Sequence, residues 1–199
     1  MSTEIKNLPF DGEQGSISKR TLEIHHDKLY VGYAKKKDEI VEKLKEFSHG
    51  GDLSSANQTY SDLRGLKDGE TFAINGVYLH EWYFENMGGD GELKNEISEA
   101  LIAKYGNLEN FMKYFAACGM AARGWVVLAW DTHDKSIRIY NGDAHNQGGV
   151  WGAIPLLVLD VYEHAYFIDF GSDRKSYIEE FFKHIDWNIV NQRYISATK

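Results

Sequence analysis

The chain has 199 residues, 43% of them hydrophobic and 14% aromatic, and a formal net charge of −8 at pH 7. Its size and apolar content suit one compact unit or two small halves with a shared interface, and they exclude a disordered or collagen-like chain. The negative charge disfavours binding to nucleic acids and to anionic membranes. No segment approaches the roughly 18 consecutive apolar residues of a membrane span. We therefore expect neither a nucleic-acid nor a membrane partner.

Two long helices, each with one inward histidine, are predicted for the first half of the chain. The first begins after Ser18, a suitable N-cap, and runs to the glycine pair at 50–51, with His25 on its apolar stripe. The second ends at the glycine pair at 88–89 and carries His80 on its apolar stripe. Joined by a short connection, the two helices would form an antiparallel hairpin.

The second half is predicted to mix helices and strands. A helix over 90–105 and another from Asn107 precede a β-hairpin of strands 125–130 and 136–140, a buried strand over 154–159 and two aromatic-rich helices. This order predicts an α+β fold. An N-terminal antiparallel helical hairpin domain, residues 1–89, is followed by a C-terminal domain, residues 90–199, in which helices surround a small antiparallel three-stranded sheet.

The only cysteine, Cys118, excludes an intrachain disulfide, and its spacing from Phe111 and Phe115 predicts a core position on one helical face. Residues 1–4 lack the positive start and the apolar stretch of a secretory leader. We therefore expect a cytoplasmic protein.

Asp160 and His164 point to a metal site. Asp160 directly follows the buried strand, where an ionised carboxylate needs a cation or a cluster of donors, and a helix starting there would place His164 on the same side. Alone, this spacing also describes a capping aspartate and a hydrogen-bonded core histidine. With His25 and His80 the set becomes three imidazoles and one carboxylate, which suits Fe, Mn, Co or Zn. Ligand types alone leave a hydrolytic zinc site and a redox site both open.

The segment PLLVLDVYEHAY at 155–166 resembles the metal-binding motif of the iron/manganese superoxide dismutase family. Other segments also resemble this family: LPF at 8–10, IHHDK at 24–28 with Tyr33, residues 72–87, DW at 186–187 and RY at 193–194. The resemblance implies an oxidoreductase that converts superoxide to O₂ and H₂O₂ by cycling one iron or manganese ion per subunit between +3 and +2.

By position, the resemblance makes His25, His80, Asp160 and His164 the metal ligands, with water or hydroxide as a fifth, at a site between the two domains. Tyr33 corresponds to a gateway phenol of the substrate funnel.

The hydrogen-bond partner of the bound solvent is expected within residues 143–147, because Gly76 stands where another subgroup supplies a glutamine from the second helix. The distance to Pro155 resembles that of the subgroup that uses a histidine, which favours His145, with Gln147 as the fallback. Lys28 and Arg174 match basic positions near the active-site mouth, where they would attract an anion, although both also suit ordinary surface charges.

The chain departs from the family around this centre. Leu29 replaces a histidine that bonds, across a dimer, to the tyrosine matching Tyr166. Aromatic positions usually held by tryptophan are Phe84 and Tyr162. Trp125 and Tyr78 look retained in the same aromatic shell. These changes leave the proton relay and the turnover rate open.

A homodimer, with a homotetramer as the alternative, is expected from the resemblance, because the counterpart of Glu163 crosses a twofold interface to the histidine matching His164. Two other functions stay open on the same scaffold: a different redox, oxygenase or hydrolase activity, and a metal-binding protein without catalysis. Iron and manganese share these ligands, so the residues do not decide between them.

Overall fold

The computed structural model describes residues 2–199. The elements are α1 (Lys19–Ile24), a π-helical turn (His25–Tyr30), α2 (Val31–Ser48), α3 (Asp62–Glu85), α4 (Glu96–Tyr105), α5 (Leu108–Ala121), β1 (Trp125–Asp131), β2 (Ser136–Gly142), β3 (Ala153–Asp160), a 3-10 turn (Glu163–Ala165), α6 (Phe167–Phe170), α7 (Arg174–Phe182) and α8 (Trp187–Ala197). Within residues 2–199, no helix is long and apolar enough to cross a bilayer.

The N-terminal helical hairpin is confirmed. Its first arm runs without a break from α1 through the π-helical turn into α2, and it begins where the Ser18 hydroxyl accepts the backbone N–H of Thr21 at 3.2 Å. The second arm, α3, begins where the Ser61 hydroxyl accepts the N–H of Arg64 at 3.2 Å. These capping bonds satisfy free donors at the helix starts, and the packing of α2 against α3 closes the hairpin.

The three predicted strands form one antiparallel sheet in the order β2-β1-β3. Its register sets Trp125, on the central strand, opposite Gly142 on one side and Asp160 on the other. Helices surround the sheet and the core is continuous across it, so the predicted α+β fold is confirmed. The division between residues 89 and 90 stays a prediction.

The helix predicted over 90–105 is too long, since α4 begins only at Glu96. The preceding segment instead bonds to the turn before α8: the N–H groups of Gly89 and Gly91 donate to the carbonyls of His184 and Ile185 at 3.0 and 3.2 Å. Gly91 also has a φ of 71°, which a helix does not allow. Contacts with a distant segment therefore override the local helical pattern.

Cys118 is half-buried, whereas Phe111 and Phe115 on the same helix are fully buried. The core position predicted for this cysteine is therefore wrong. It lies at the edge of the buried face of α5, not at its centre.

Candidate metal centre

Four side chains from four separate segments converge beside the sheet. His25 starts the π-helical turn, His80 lies on α3, Asp160 ends β3 and His164 lies in the 3-10 turn. One ligand atom from each lies within 4.8 Å of all the others. The Asp160 carboxylate oxygen Oδ2 is 3.1 Å from His164 Nε2, 3.2 Å from His25 Nε2 and 3.7 Å from His80 Nε2. The structure thus brings together the whole predicted ligand set.

Asp160 and His164 do not share a helix, so the helix predicted to start at Asp160 is wrong. Asp160 is the last residue of β3, and its Oδ1 accepts the N–H of Tyr162 at 2.8 Å, which turns the chain back before the 3-10 turn. The hydroxyl of Tyr177, on α7, also donates to the Asp160 backbone carbonyl at 2.8 Å. A strand end and a tight turn therefore achieve the convergence expected of a helix.

Three buried imidazole nitrogens in the cluster make no hydrogen bond within residues 2–199. His80 Nδ1–H donates to the Gly76 carbonyl at 2.5 Å, which leaves the lone pair on Nε2. His80 Nε2 and both ring nitrogens of His25 are buried and make no hydrogen bond to any part of the chain that the structure describes. Because an unpaired buried polar atom costs about 1–3 kcal/mol, these atoms indicate a missing partner.

Electrostatics in the cluster favour a cation. Burial lowers the pKa of His25 and of His80, so both rings are neutral at pH 7. Burial acts to raise the pKa of Asp160, but His164 and His25 hold it well below its usual range and the carboxylate stays ionised. Burial alone would lower the pKa of His164, but Asp160 in turn raises it. The neutral imidazoles of His25 and His80 beside an ionised carboxylate, with His164 as a third imidazole once it gives up its proton, form a donor set that fits iron or manganese.

His145, and not Gln147, lies at the cluster. The His145 ring is buried, with its centre 5.7 Å from the His80 ring, whereas Gln147 is exposed. The indole Nε1–H of Trp125 donates to His145 Nδ1 at 2.9 Å, so the ring proton of the neutral form sits on Nε2. Burial lowers the pKa of His145 to about 4, which keeps the ring neutral at pH 7.

Tyr33 lies beside His145 in the space opposite Gly76. The two rings meet edge to face at 4.6 Å between centres, and the Tyr33 ring is 5.3 Å from that of His80. A Cβ on Gly76 would lie 2.9 Å from two Tyr33 ring carbons and 3.4 Å from His145 Cδ2. Burial, helped by the charge of Asp160, raises the pKa of Tyr33 to about 12. The phenol is therefore protonated at pH 7.

Three of the four predicted aromatic neighbours contact the ligands. Phe84 lies edge-on to His25 at 5.0 Å, Trp125 edge-on to His80 at 5.0 Å, and Tyr162 is stacked on His164 at 5.3 Å.

Tyr78 does not join this shell. Its side chain is 42% exposed and packs against Trp82 at 6.0 Å. Because Tyr78 precedes His80 by two residues, α3 directs the two side chains to different faces, and the predicted role of Tyr78 beside the ligands is wrong.

Of the remaining predicted residues, Glu163 and Arg174 lie on the outer side of His164. Glu163 and Lys28 are exposed. Arg174 donates from Nε to the hydroxyl of the buried Tyr166 at 3.2 Å and from a terminal nitrogen to a backbone carbonyl at the end of α5 at 2.7 Å. Glu163, His164 and Arg174 line one open groove of about 610 Å³.

Two tyrosines near the centre were not predicted as part of it. The Tyr83 ring lies 5.2 Å from that of His25, and its hydroxyl is 3.1 Å from the hydroxyl of Tyr177, which in turn bonds the backbone of Asp160. Helical spacing places Tyr177 on an apolar face, but no local pattern shows that its hydroxyl reaches β3.

Comparison with known proteins identifies the family. Residues 3–88 match the family model described as the alpha-hairpin domain of iron/manganese superoxide dismutases, and residues 93–193 match that of their C-terminal domain. The chain belongs to the iron/manganese superoxide dismutase family. The resemblance noted in the sequence is thereby confirmed.

Some curated relatives in this family are named for iron and others for manganese. An iron superoxide dismutase of Aquifex pyrophilus is 41% identical over 92% of this chain and 86% of its own length. Manganese superoxide dismutase 1 of Halobacterium salinarum is 33% identical over 98% of this chain and 96% of its own length. An iron superoxide dismutase of Plasmodium falciparum is 30% identical over 92% of this chain and 90% of its own length. The choice of metal is therefore not decided by similarity.

Proposed function

We propose that this protein is a superoxide dismutase whose iron or manganese ion is held by His25, His80, Asp160 and His164. The observation that carries the proposal is the set of buried, unpartnered imidazole nitrogens around an ionised carboxylate. This donor set occurs in a chain that matches the family over nearly its whole length. Hydrolytic zinc chemistry, left open by the ligand types, has no support from these relatives.

The bound ion would supply the electron chemistry, accepting an electron from one superoxide and giving it to a second. Formation of H₂O₂ also consumes two protons, which this chain must deliver. His145 holds a proton on Nε2 because Trp125 occupies its Nδ1. Tyr33, protonated at pH 7 and in contact with His145, is the second proton-holding group. We assign the proton relay to this pair, and it does not require the histidine that Leu29 replaces.

Lys28 and Arg174 are proposed to attract superoxide to the groove despite the net charge of −8. Exposed charges act over a Debye length of about 8 Å at physiological ionic strength, so their effect must weaken as salt rises. Lys28→Gln should lower the second-order rate constant and flatten its salt dependence. Lys113→Gln, which removes an exposed lysine on α5, is the matched control. Equal salt dependence in both variants would contradict the steering role.

We also propose a homodimer in which Glu163 of each copy meets His164 of the other, since both line an open groove on one surface. Glu163→Ala should then weaken the dimer and the metal affinity together, as seen by sedimentation and metal analysis. A tetramer built from two such dimers is the alternative assembly.

A cytoplasmic location remains part of the proposal, to be checked by cell fractionation.

The metal site is tested by comparing His80→Gln with His49→Gln. His49 is exposed at the end of α2, so its replacement controls for the loss of a histidine. We expect one iron or manganese per subunit and rapid superoxide decay in the wild type and in His49→Gln, and loss of both in His80→Gln. Full metal content and activity in His80→Gln would contradict the ligand assignment. Bound metal without superoxide decay in the wild type would instead select a non-catalytic metal protein.

A further inference from the structure

A second cavity, of about 540 Å³, lies between α3 and the sheet. Trp125 and His145 form part of its wall, so it adjoins the metal centre without containing any of the four predicted ligands. Trp82 on α3, Trp151 in the β2–β3 loop and Pro155 on β3 line other sides. Its volume falls within the range of about 300–1,000 Å³ that small-molecule sites in proteins occupy.

The lining of this cavity contains no aspartate, glutamate, lysine or arginine. His145 is its only imidazole, and its Nδ1 accepts the indole N–H of Trp125, so the ring is the neutral form with its proton on Nε2. Desolvating an ion here would cost several kcal/mol without a counter-charge to offset it. An anion such as superoxide is therefore a poor ligand for this cavity, and a neutral molecule is favoured.

Some polar side chains in the lining have hydrogen-bond partners within the described part of the chain and others have none. The Tyr140 hydroxyl donates to Asp131 at 2.8 Å, and the Asn146 side-chain NH₂ donates to the Thr71 hydroxyl at 3.1 Å. The side-chain amides of Asn75 and Gln147, in contrast, make no hydrogen bond to any group in residues 2–199. Gln147 is exposed whereas Asn75 is half-buried, so Asn75 offers the more sheltered free amide in a lining that is mostly apolar.

The aromatic walls specify a planar ligand. Three of the five tryptophans of the chain line the cavity, and one of them, Trp151, is 94% exposed. Aromatic rings pack best on other rings, by offset stacking or edge-to-face contact. An exposed tryptophan on the rim of an apolar cavity would lose much of its water contact if a flat molecule entered beside it.

We infer that this cavity binds a neutral, planar aromatic molecule of about the size of indole, whose single hydrogen-bonding group is held by Asn75. The cavity adjoins the metal centre through His145 and Trp125 but holds none of the four predicted ligands, and the inference does not depend on the metal or on dismutation. The ligand would touch both partners of the Trp125–His145 hydrogen bond.

The experiment titrates the metal-loaded enzyme with indole and with indene, which has the same shape but lacks the N–H group, by calorimetry. Asn75→Leu removes the amide at nearly constant size. We expect indole to bind the wild type at one site per subunit and about tenfold more tightly than indene, the effect of about 1.4 kcal/mol for one hydrogen bond. In Asn75→Leu this preference should disappear.

A second experiment fills the cavity with a larger side chain. Ala153→Phe places a ring at the half-buried start of β3, on the cavity wall, and Ala103→Phe places one on the exposed face of α4 as the control. Indole binding should fall at least about tenfold in Ala153→Phe and stay unchanged in Ala103→Phe.

Three results would overturn the inference. The first is no indole binding by the wild type up to the solubility limit. The second is an unchanged indole preference in Asn75→Leu, which decides the matter even if Ala153→Phe does not fold. The third is a cavity already filled by Trp151 of another copy, which would show as assembly lost in Trp151→Ala together with absent indole binding.

Discussion

Gly76→Ala tests whether Tyr33 and His145 fill the space beside α3. A Cβ at this position would lie 2.9 Å from two carbons of the Tyr33 ring and 3.4 Å from His145 Cδ2. The Tyr33 ring is also bounded by those of Phe72 and His80, at 6.0 and 5.3 Å, so it has little room to move aside. Gly65, on the same helix, provides the matched control, because a Cβ added there would meet no neighbouring atom within 4 Å.

The magnitude follows from two opposing terms. Alanine in a helix interior is favoured over glycine by about 1 kcal/mol, so Gly65→Ala should raise the free energy of unfolding by about that amount. At Gly76 the same gain is opposed by overpacking, which costs about 1–3 kcal/mol. Gly76→Ala should therefore be about 1–3 kcal/mol less stable than Gly65→Ala. If displacement of Tyr33 raises the activation free energy of dismutation by about 1.4 kcal/mol, the rate constant should fall about tenfold.

Urea unfolding of both metal-loaded variants measures the first quantity, and superoxide decay in a stopped-flow spectrometer measures the second. Gly65→Ala should keep the wild-type rate. If Gly76→Ala is as stable and as active as Gly65→Ala, then Tyr33 and His145 do not occupy this space in solution and the proposed relay has the wrong geometry.

Three further changes test individual hydrogen bonds and one ion pair of the fold. Trp125→Phe leaves His145 Nδ1 without its donor and should cost about 1–3 kcal/mol in urea unfolding, more than a substitution of an exposed tryptophan. Asn86→Ala removes a buried side chain that bonds both the N–H and the C=O of one β3 residue and should cost about 2–4 kcal/mol. Lys183 and the chain before α1 hold the pKa of Glu180 at about 2, so Glu180→Gln should lower the melting temperature at pH 7. This difference should shrink as pH falls from about 4.5 towards 2, since protonation abolishes the native advantage of the carboxylate, and a constant difference would refute the ion-pair account.

The helical hairpin and the three strands could be predicted because their signals are local. Ser18 caps a helix, glycine pairs end two helices, and β-branched and apolar runs mark the strands. The π-helical turn at His25–Tyr30 has no such signal, because no capping residue, glycine or proline marks the change from i→i+4 to i→i+5 hydrogen bonds. The extended chain before α4 likewise depends on hydrogen bonds to residues nearly a hundred positions away.

The metal cluster could be predicted because its four ligands follow buried patterns, while their surroundings depend on tertiary contacts. In the sequence, only the family-like distance to Pro155 favours His145 over Gln147, whereas the position of the His145 ring depends on the Trp125 indole and the space opposite Gly76. The prediction that Tyr78 lies beside the ligands rests only on its likeness to a family position, and the structure shows it exposed on another face of α3.

The most direct test of the central claim is superoxide decay measured on the purified protein after removal of its metal and separate reconstitution with iron and with manganese. The metal-free protein should be inactive. At least one reconstituted form, with about one ion per subunit, should consume superoxide catalytically and yield O₂ and H₂O₂ in equal amounts. Stoichiometric metal binding with no catalysis in either form would contradict the claim that this cluster dismutates superoxide.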